Sequence, residues 1–149
     1  MSKWHGIKLL ILKTGNDDFN IFIRLIVGLI FISEGIQKYL FLEAMGPVFF
    51  EGIGFRYAFF WAYFTGAFEI VCGTMILFGF IVRVASFPLL IIMITAFITT
   101  KLPLLKTKGF FEFAHVYNID FSLTILLIVL IIYGGGKWSF DKRMLKSTP

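Results

Sequence analysis

Arg24, Glu34, Gln37 and Lys38 fall inside one apolar run, RLIVGLIFISEGIQKY, and Glu69 falls inside a second, GAFEIVCGTMILFGF. A charged side chain near mid-bilayer costs about 2.5–3.5 kcal/mol on insertion scales, so by default it faces a bundle interior and marks pairing, ligand or proton chemistry. At about 100° per residue, Arg24, Gly28, Phe31, Gly35 and Lys38 share one sector of a helix, with Glu34 at its edge. Glu34 precedes Lys38 by four positions, the favourable order for an ion pair. Glu69 shares its face with Ala62, Thr65, Gly66, Cys72, Gly73 and Ile76. Small residues let helices approach closely, and polar groups bond across such a seam. Antiparallel spans place Glu69 between the levels of Arg24 and Glu34. The pattern predicts that Arg24, Glu34, Lys38 and Glu69 converge in the interior, in direct or single-water contact. Two readings follow: an ion-pair network that sets helix register, or a polar cavity for a ligand, a proton or a quinone head. Gln37, Thr65 and Asp120 are secondary candidates for such a cavity.

Other chemistries have little support. Asp120, two after Asn118, suits the cap of a final helix. His115 has no second histidine nearby, so no metal site is expected. The single cysteine, Cys72, excludes an internal disulfide and a CxxC pair and reads as packing among small residues. No G-x-S-x-G is present, and GGGKWSFD lacks the spacing of a phosphate loop. Its glycines read as a helix stop, with Trp138 anchoring at the headgroups.

The elements that must position these residues follow from composition. Of 149 residues, 58% are hydrophobic and 15% charged, against about 25% charged in soluble domains; mean hydropathy is +0.88. About 20 apolar residues cross a bilayer as a helix. The reading is an all-α integral membrane four-helix bundle, a single domain over residues 1–149 in contact with the lipid bilayer. Its spans are placed at about 19–41, 57–80, 84–100 and 117–134, the last extended by aromatic residues ahead of a short apolar core. Asp17 and Asp18 suit the start of the first. Residues 43–56, EAMGPVFFEGIGFR, are too short and glycine-broken to cross, and predict an interfacial or re-entrant segment. Lys101, Pro103, Lys106, Lys108 and Gly109 read as a loop, and FFEFAHVYN as interfacial. The N-terminal IKLLILK is short and charged at both ends, unlike a cleaved signal. The net charge of +5 is spread over ends and loops with no basic stripe, so no nucleic acid partner is expected. With four spans, the termini share a side. That side carries Lys3, Lys8, Lys13, Arg24, Arg83, Lys137, Lys142, Arg143 and Lys146, against Lys38, Arg56, Lys101, Lys106 and Lys108 opposite. Both termini are therefore expected to be cytoplasmic, in the plasma or inner membrane.

Three segments together, RLIVGLIFISEGIQKY, GAFEIVCGTMILFGFIVRVAS and GGGKWSFD, resemble the DoxX family over about residues 19–141. The resemblance carries Arg24, Gly28, Gly35, Lys38, Glu69, Gly73, Gly79, Arg83, Gly134, Gly136, Ser139 and Asp141. It implies a four-helix membrane bundle and a redox setting, since some relatives are subunits of a thiosulfate:quinone oxidoreductase and others associate with redox or thiol-handling proteins. It also implies an acidic position in the fourth span, here Asp120. One departure counts against a thiol-transfer role: the chain has Cys72 alone. The expected function is a membrane subunit of a redox system that binds a quinone or similar amphiphile at Arg24, Glu34, Lys38 and Glu69. The alternative is a non-catalytic scaffold or anchor for a partner protein, its charges purely structural. No cofactor motif is visible; a quinone, a membrane or redox protein partner and a homo-oligomer are the associations to test.

Overall fold

The computed structural model describes residues 11–12, 14–15 and 18–146. The expectations for Lys3, Lys8, Lys13 and Asp17 lie outside these residues. Among the described residues the fold is all-helical, and four helices are long and apolar enough to cross a membrane. The first, α1, is Asn20–Leu40. No side chain caps it: Asp18 instead accepts from Trp138 Nε1 at 3.1 Å and lies 3.5 Å from Lys137 Nζ. The expected capping by Asp18 is thus replaced by a tie to the C-terminal segment.

Between the first two spans lies α2, Pro47–Gly52, six residues that pack on α3. Proline suits the first turn of a helix, where its missing N–H has no partner to lose. The second span, α3, is Ala58–Phe78. It ends where Gly79, at φ 75°, donates to the Ile76 carbonyl and Phe80 donates to that of Met75. This paired closure needs a left-handed residue, which glycine adopts without steric cost.

The third span differs from expectation. Helix α4, Val82–Ala96, runs through a π-helical segment, Phe97–Lys101, into α5, Leu102–Lys108. Lys101, Pro103, Lys106 and Lys108 are therefore helical and do not form a loop. Pro103 would clash with the carbonyl four residues earlier in a regular helix. That residue, Thr99, lies in the π segment, where the wider turn relieves the conflict. The fourth span, α6, is Phe110–Tyr133, so the aromatic FFEFAHVYN is the continuous start of the helix. Tyr117 stacks on Phe113 at 5.2 Å and meets Phe97 of the π segment at 5.0 Å. A short α7, Phe140–Lys146, closes the described chain.

Packing is uneven around the ring of spans. Helix α1 lies antiparallel along α3, α3 meets α4, α4 packs on α6, and the α6–α1 seam is the sparsest. Glycines set the close α1–α3 approach: a Cβ on Gly28 would fall 2.9 Å from the Gly73 carbonyl oxygen, and one on Gly35 would fall 2.7 Å from that of Gly66. The dry core is built from Val27, Phe31, Ile76, Leu89, Leu127 and their neighbours.

Candidate functional site

Where Gly35 and Gly66 let the backbones meet, two charges face each other. Lys38 Nζ lies 2.6 Å from Glu69 Oε2, with the side chains 11% and 4% exposed. At that distance Lys38 is both the counter-ion and the hydrogen-bond donor of the buried carboxylate. The expected Glu34–Lys38 pair along α1 does not form. Glu69 sits deeper, where less water competes, so the same cation gains more there. Glu34 is half-buried and close enough for its charge to be felt at Glu69; it has no cation partner among the described residues. Thr65 is half-buried one helical turn before Glu69. Gln37 turns back along its own helix, donating to Ser33 Oγ at 3.0 Å. At the outer rim, Tyr39 stacks on Tyr63 at 5.1 Å and its hydroxyl donates to the Tyr63 carbonyl at 2.7 Å.

Arg24 is not part of this group. It stands 14 residues from Lys38 on one helix, about 21 Å at 1.5 Å per residue. Its Nε donates to the Ile76 carbonyl at 3.1 Å and Nη2 to that of Leu77 at 3.0 Å. Nη1 donates to Gly135 at 2.9 Å and Trp138 at 3.2 Å. Ile76 and Leu77 belong to the last turn of α3, whose carbonyls have no i+4 donor and carry the negative end of the helix dipole, Ile76 accepting from Gly79 as well. That binding site for a cation explains why Arg24 meets none of Glu34, Lys38 or Glu69.

The C-terminal segment completes this end of the bundle. Asp141 is 1% exposed and accepts from the Ile81 N–H at 2.6 Å and the Val82 N–H at 3.0 Å, the open start of α4. Its own N–H donates to the Gly79 carbonyl at 3.0 Å. Burial pushes the Asp141 carboxyl above its ordinary range, against the pull of the Val82 and Ile81 N–H groups and of Arg24 and Arg83. Asn20 Nδ2 donates to the Gly134 carbonyl at 3.2 Å, and Ser139 Oγ to that of Gly136 at 2.7 Å. Sequence reasoning took GGGKWSFD as a helix stop and missed that Asp141 caps another helix. The available signal was an acid and a serine two apart after three glycines.

Asp120 is not a cap either. It lies within α6 and its Oδ2 is 3.0 Å from Lys101 Nζ, both half-buried. By chain direction, Lys101–Asp120 and Lys38–Glu69 occupy the half of the bundle away from the C-terminal segment. His115 is exposed, and no cluster of metal-ligating residues occurs among the described residues. Cys72 is a free thiol in the apolar core.

The DoxX family model matches residues 19–102, which hold Arg24, Glu34, Lys38 and Glu69. The chain is also similar to an uncharacterized membrane protein of Mycobacterium tuberculosis. The two are 46% identical over 130 residues, covering 83% of this chain and 80% of that protein. No solved structure matches it.

Proposed function

The chain belongs to the DoxX family, and from that premise we propose that it is the membrane subunit of a redox system, binding the head of a quinone or similar amphiphile at Lys38, Glu69 and Glu34. The observation that carries this reading is the buried Lys38–Glu69 pair together with the half-buried Glu34, a carboxylate with no cation partner among the described residues. A head bearing both carbonyl and hydroxyl character suits the trio: Lys38 Nζ can donate to a carbonyl, and Glu69 and Glu34 can accept from hydroxyls. A bound quinone would supply a two-electron, two-proton couple. The residues of this chain would hold the head, exclude water and hand protons between Glu69 and Glu34. The electrons would come from a partner protein. Arg24, with its donors committed to four carbonyls, stays outside the site. The positive excess on the termini side supports a cytoplasmic location for both termini, in the plasma or inner membrane.

A scaffold reading is favoured by a different observation: the glycine-close α1–α3 seam, in which the Lys38–Glu69 pair could serve only to set register. Glu69→Gln separates the two. Breaking a buried pair from one side costs about 3–5 kcal/mol in soluble proteins. Under the binding reading, Glu69→Gln loses affinity for decylubiquinol in detergent well beyond any loss of melting temperature, whereas Cys72→Ala, a small and weakly polar change, leaves affinity near wild type. If Glu69→Gln lowers stability while wild type and variant both fail to bind the probe, the scaffold reading replaces this one.

A further inference from the structure

Around the bundle, the α1–α6 seam is the sparsest contact between adjacent spans. It holds a groove of about 340 Å³ lined by Ile26 and Ile30 of α1 and by Asn118, Ile119, Ser122, Leu123 and Leu126 of α6. Ile26, half-exposed at 50%, and Ile119 open this groove toward the lipid side of the bundle. Both walls lead the same way. On α1, Ile26, Ile30 and Glu34 follow each other at four-residue spacing; on antiparallel α6, so do Leu126, Ser122 and Asn118. The groove thus begins among aliphatic side chains and ends at Asn118 on α6, while the same face of α1 continues one turn beyond Ile30 to Glu34. Ser122 spends its hydroxyl on the Asn118 carbonyl of its own helix. The Asn118 amide has no hydrogen bond among the described residues, and neither has Glu34 a cation, because Lys38 is held by Glu69.

We infer that the α1–α6 groove is the lateral port of the site: a single-chain amphiphile enters from the bilayer with its tail along Ile26, Ile30 and Leu126, and its hydroxylated ring head reaches Glu34. This rests on the binding function proposed above and adds the route and the place of the tail. Size selects one chain, since the groove is at the low end of the about 300–1,000 Å³ range of small-molecule sites. Charge selects the head. A carboxylate without a cation one turn beyond the groove, with the Asn118 amide on the groove's wall, accepts from hydroxyls and repels an anionic phosphate. The apolar lower half gives the tail a partner that lipid would otherwise supply, so entry from the bilayer needs no passage through water.

The test uses the full-length protein in detergent, under argon, with two probes: decylubiquinol and the same ring without its alkyl tail. Ser122→Trp fills the groove from an exposed position of α6, and Ile26→Trp does so from α1, so one remains usable if the other misfolds by melting temperature. The expected result is at least a tenfold rise in Kd for decylubiquinol in either variant, with affinity for the tailless ring unchanged. Glu34→Gln should weaken both probes. If the tryptophan variants bind decylubiquinol like wild type while Glu69→Gln does not, the port is wrong and the binding site stands. If wild type binds neither probe, both fall. If native mass spectrometry finds a co-purified phospholipid that Ser122→Trp releases, with quinol affinity unaffected, the groove is a structural lipid site and the port is overturned.

Discussion

Removing the Asp141 side chain strips the acceptor from two backbone N–H groups at once, the part-buried one of Ile81 and the buried one of Val82. Ile81 is also held at φ 38°, a left-handed conformation that a β-branched residue adopts only under constraint. Asp141→Ala is expected to lower stability by about 1–3 kcal/mol, the usual cost of leaving a buried polar group unsatisfied, read as thermal unfolding in detergent. The same residue gives a pH dependence. Because burial raises its carboxyl above the unfolded value, the folded protein holds that proton more tightly than the unfolded chain does. Its contribution to stability is fully present below the unfolded value and is lost as pH rises through the raised one. Asp141→Asn has no such group, so its melting temperature should approach that of wild type as pH rises from the acid range toward neutrality. A gap that widens over that interval would contradict the assignment.

The α1–α3 pair is the element on which the Lys38–Glu69 contact depends. A Cβ on Gly35 would lie 2.7 Å from the Gly66 carbonyl oxygen and 2.7 Å from Ile70 Cγ1, and 3.1 Å from Glu69 Cβ. Backbone cannot move aside cheaply in a packed seam, and overpacking costs about 1–3 kcal/mol. Gly35→Ala should therefore lower the melting temperature and weaken decylubiquinol binding together, since it wedges apart the helices that carry Lys38 and Glu69. Gly52→Ala is the control: nothing lies within 4 Å of a Cβ there, and it should leave both readouts near wild type. Equal behaviour of the two variants would show that the seam has more slack than its geometry implies.

If the four helices long enough to cross all do so, the start of α1 and the end of α6 share one side and the 43–56 segment faces the other. With Cys72→Ala as background, Arg143→Cys and Gly52→Cys should label with an impermeant thiol reagent from opposite faces of the membrane, Gly52→Cys from the outside of intact cells. Labelling of both from one face would sink the four-span topology. At this scale the two ends of the bundle have different roles. The C-terminal end is tied by Arg24, Asn20 and Asp141 to backbone groups of α3, α4 and the glycine segment. The opposite half carries Lys38–Glu69, Lys101–Asp120 and Glu34, all side-chain charges with fewer backbone partners.

Much of this protein was legible from residue types alone. Long apolar runs must be helices in lipid, because each backbone group then finds its partner within the segment; the four spans and the short segment around Pro47 follow from that rule, and the inward turn of Glu69 and Lys38 from the cost of a charge facing lipid. Gly28, Gly35, Gly66 and Gly73 marked the close seam, since only small residues permit it. Partner choice was not legible. Arg24, Glu34 and Lys38 share an edge or face of one helix, and periodicity fixes a direction around the axis but not which acceptor lies opposite at each level. Only tertiary structure could assign Arg24 to the end carbonyls of α3 and Lys38 to Glu69 across the seam, leaving Glu34 without a cation. Likewise, the proline and lysines after Thr100 carried a loop signal that was overridden when a π turn let the helix continue and brought Lys101 to Asp120. Asp141 could not be read at all as a cap for Ile81 and Val82, because its partners lie some 60 residues away in the chain and a cap is recognised from sequence only when it adjoins its own helix.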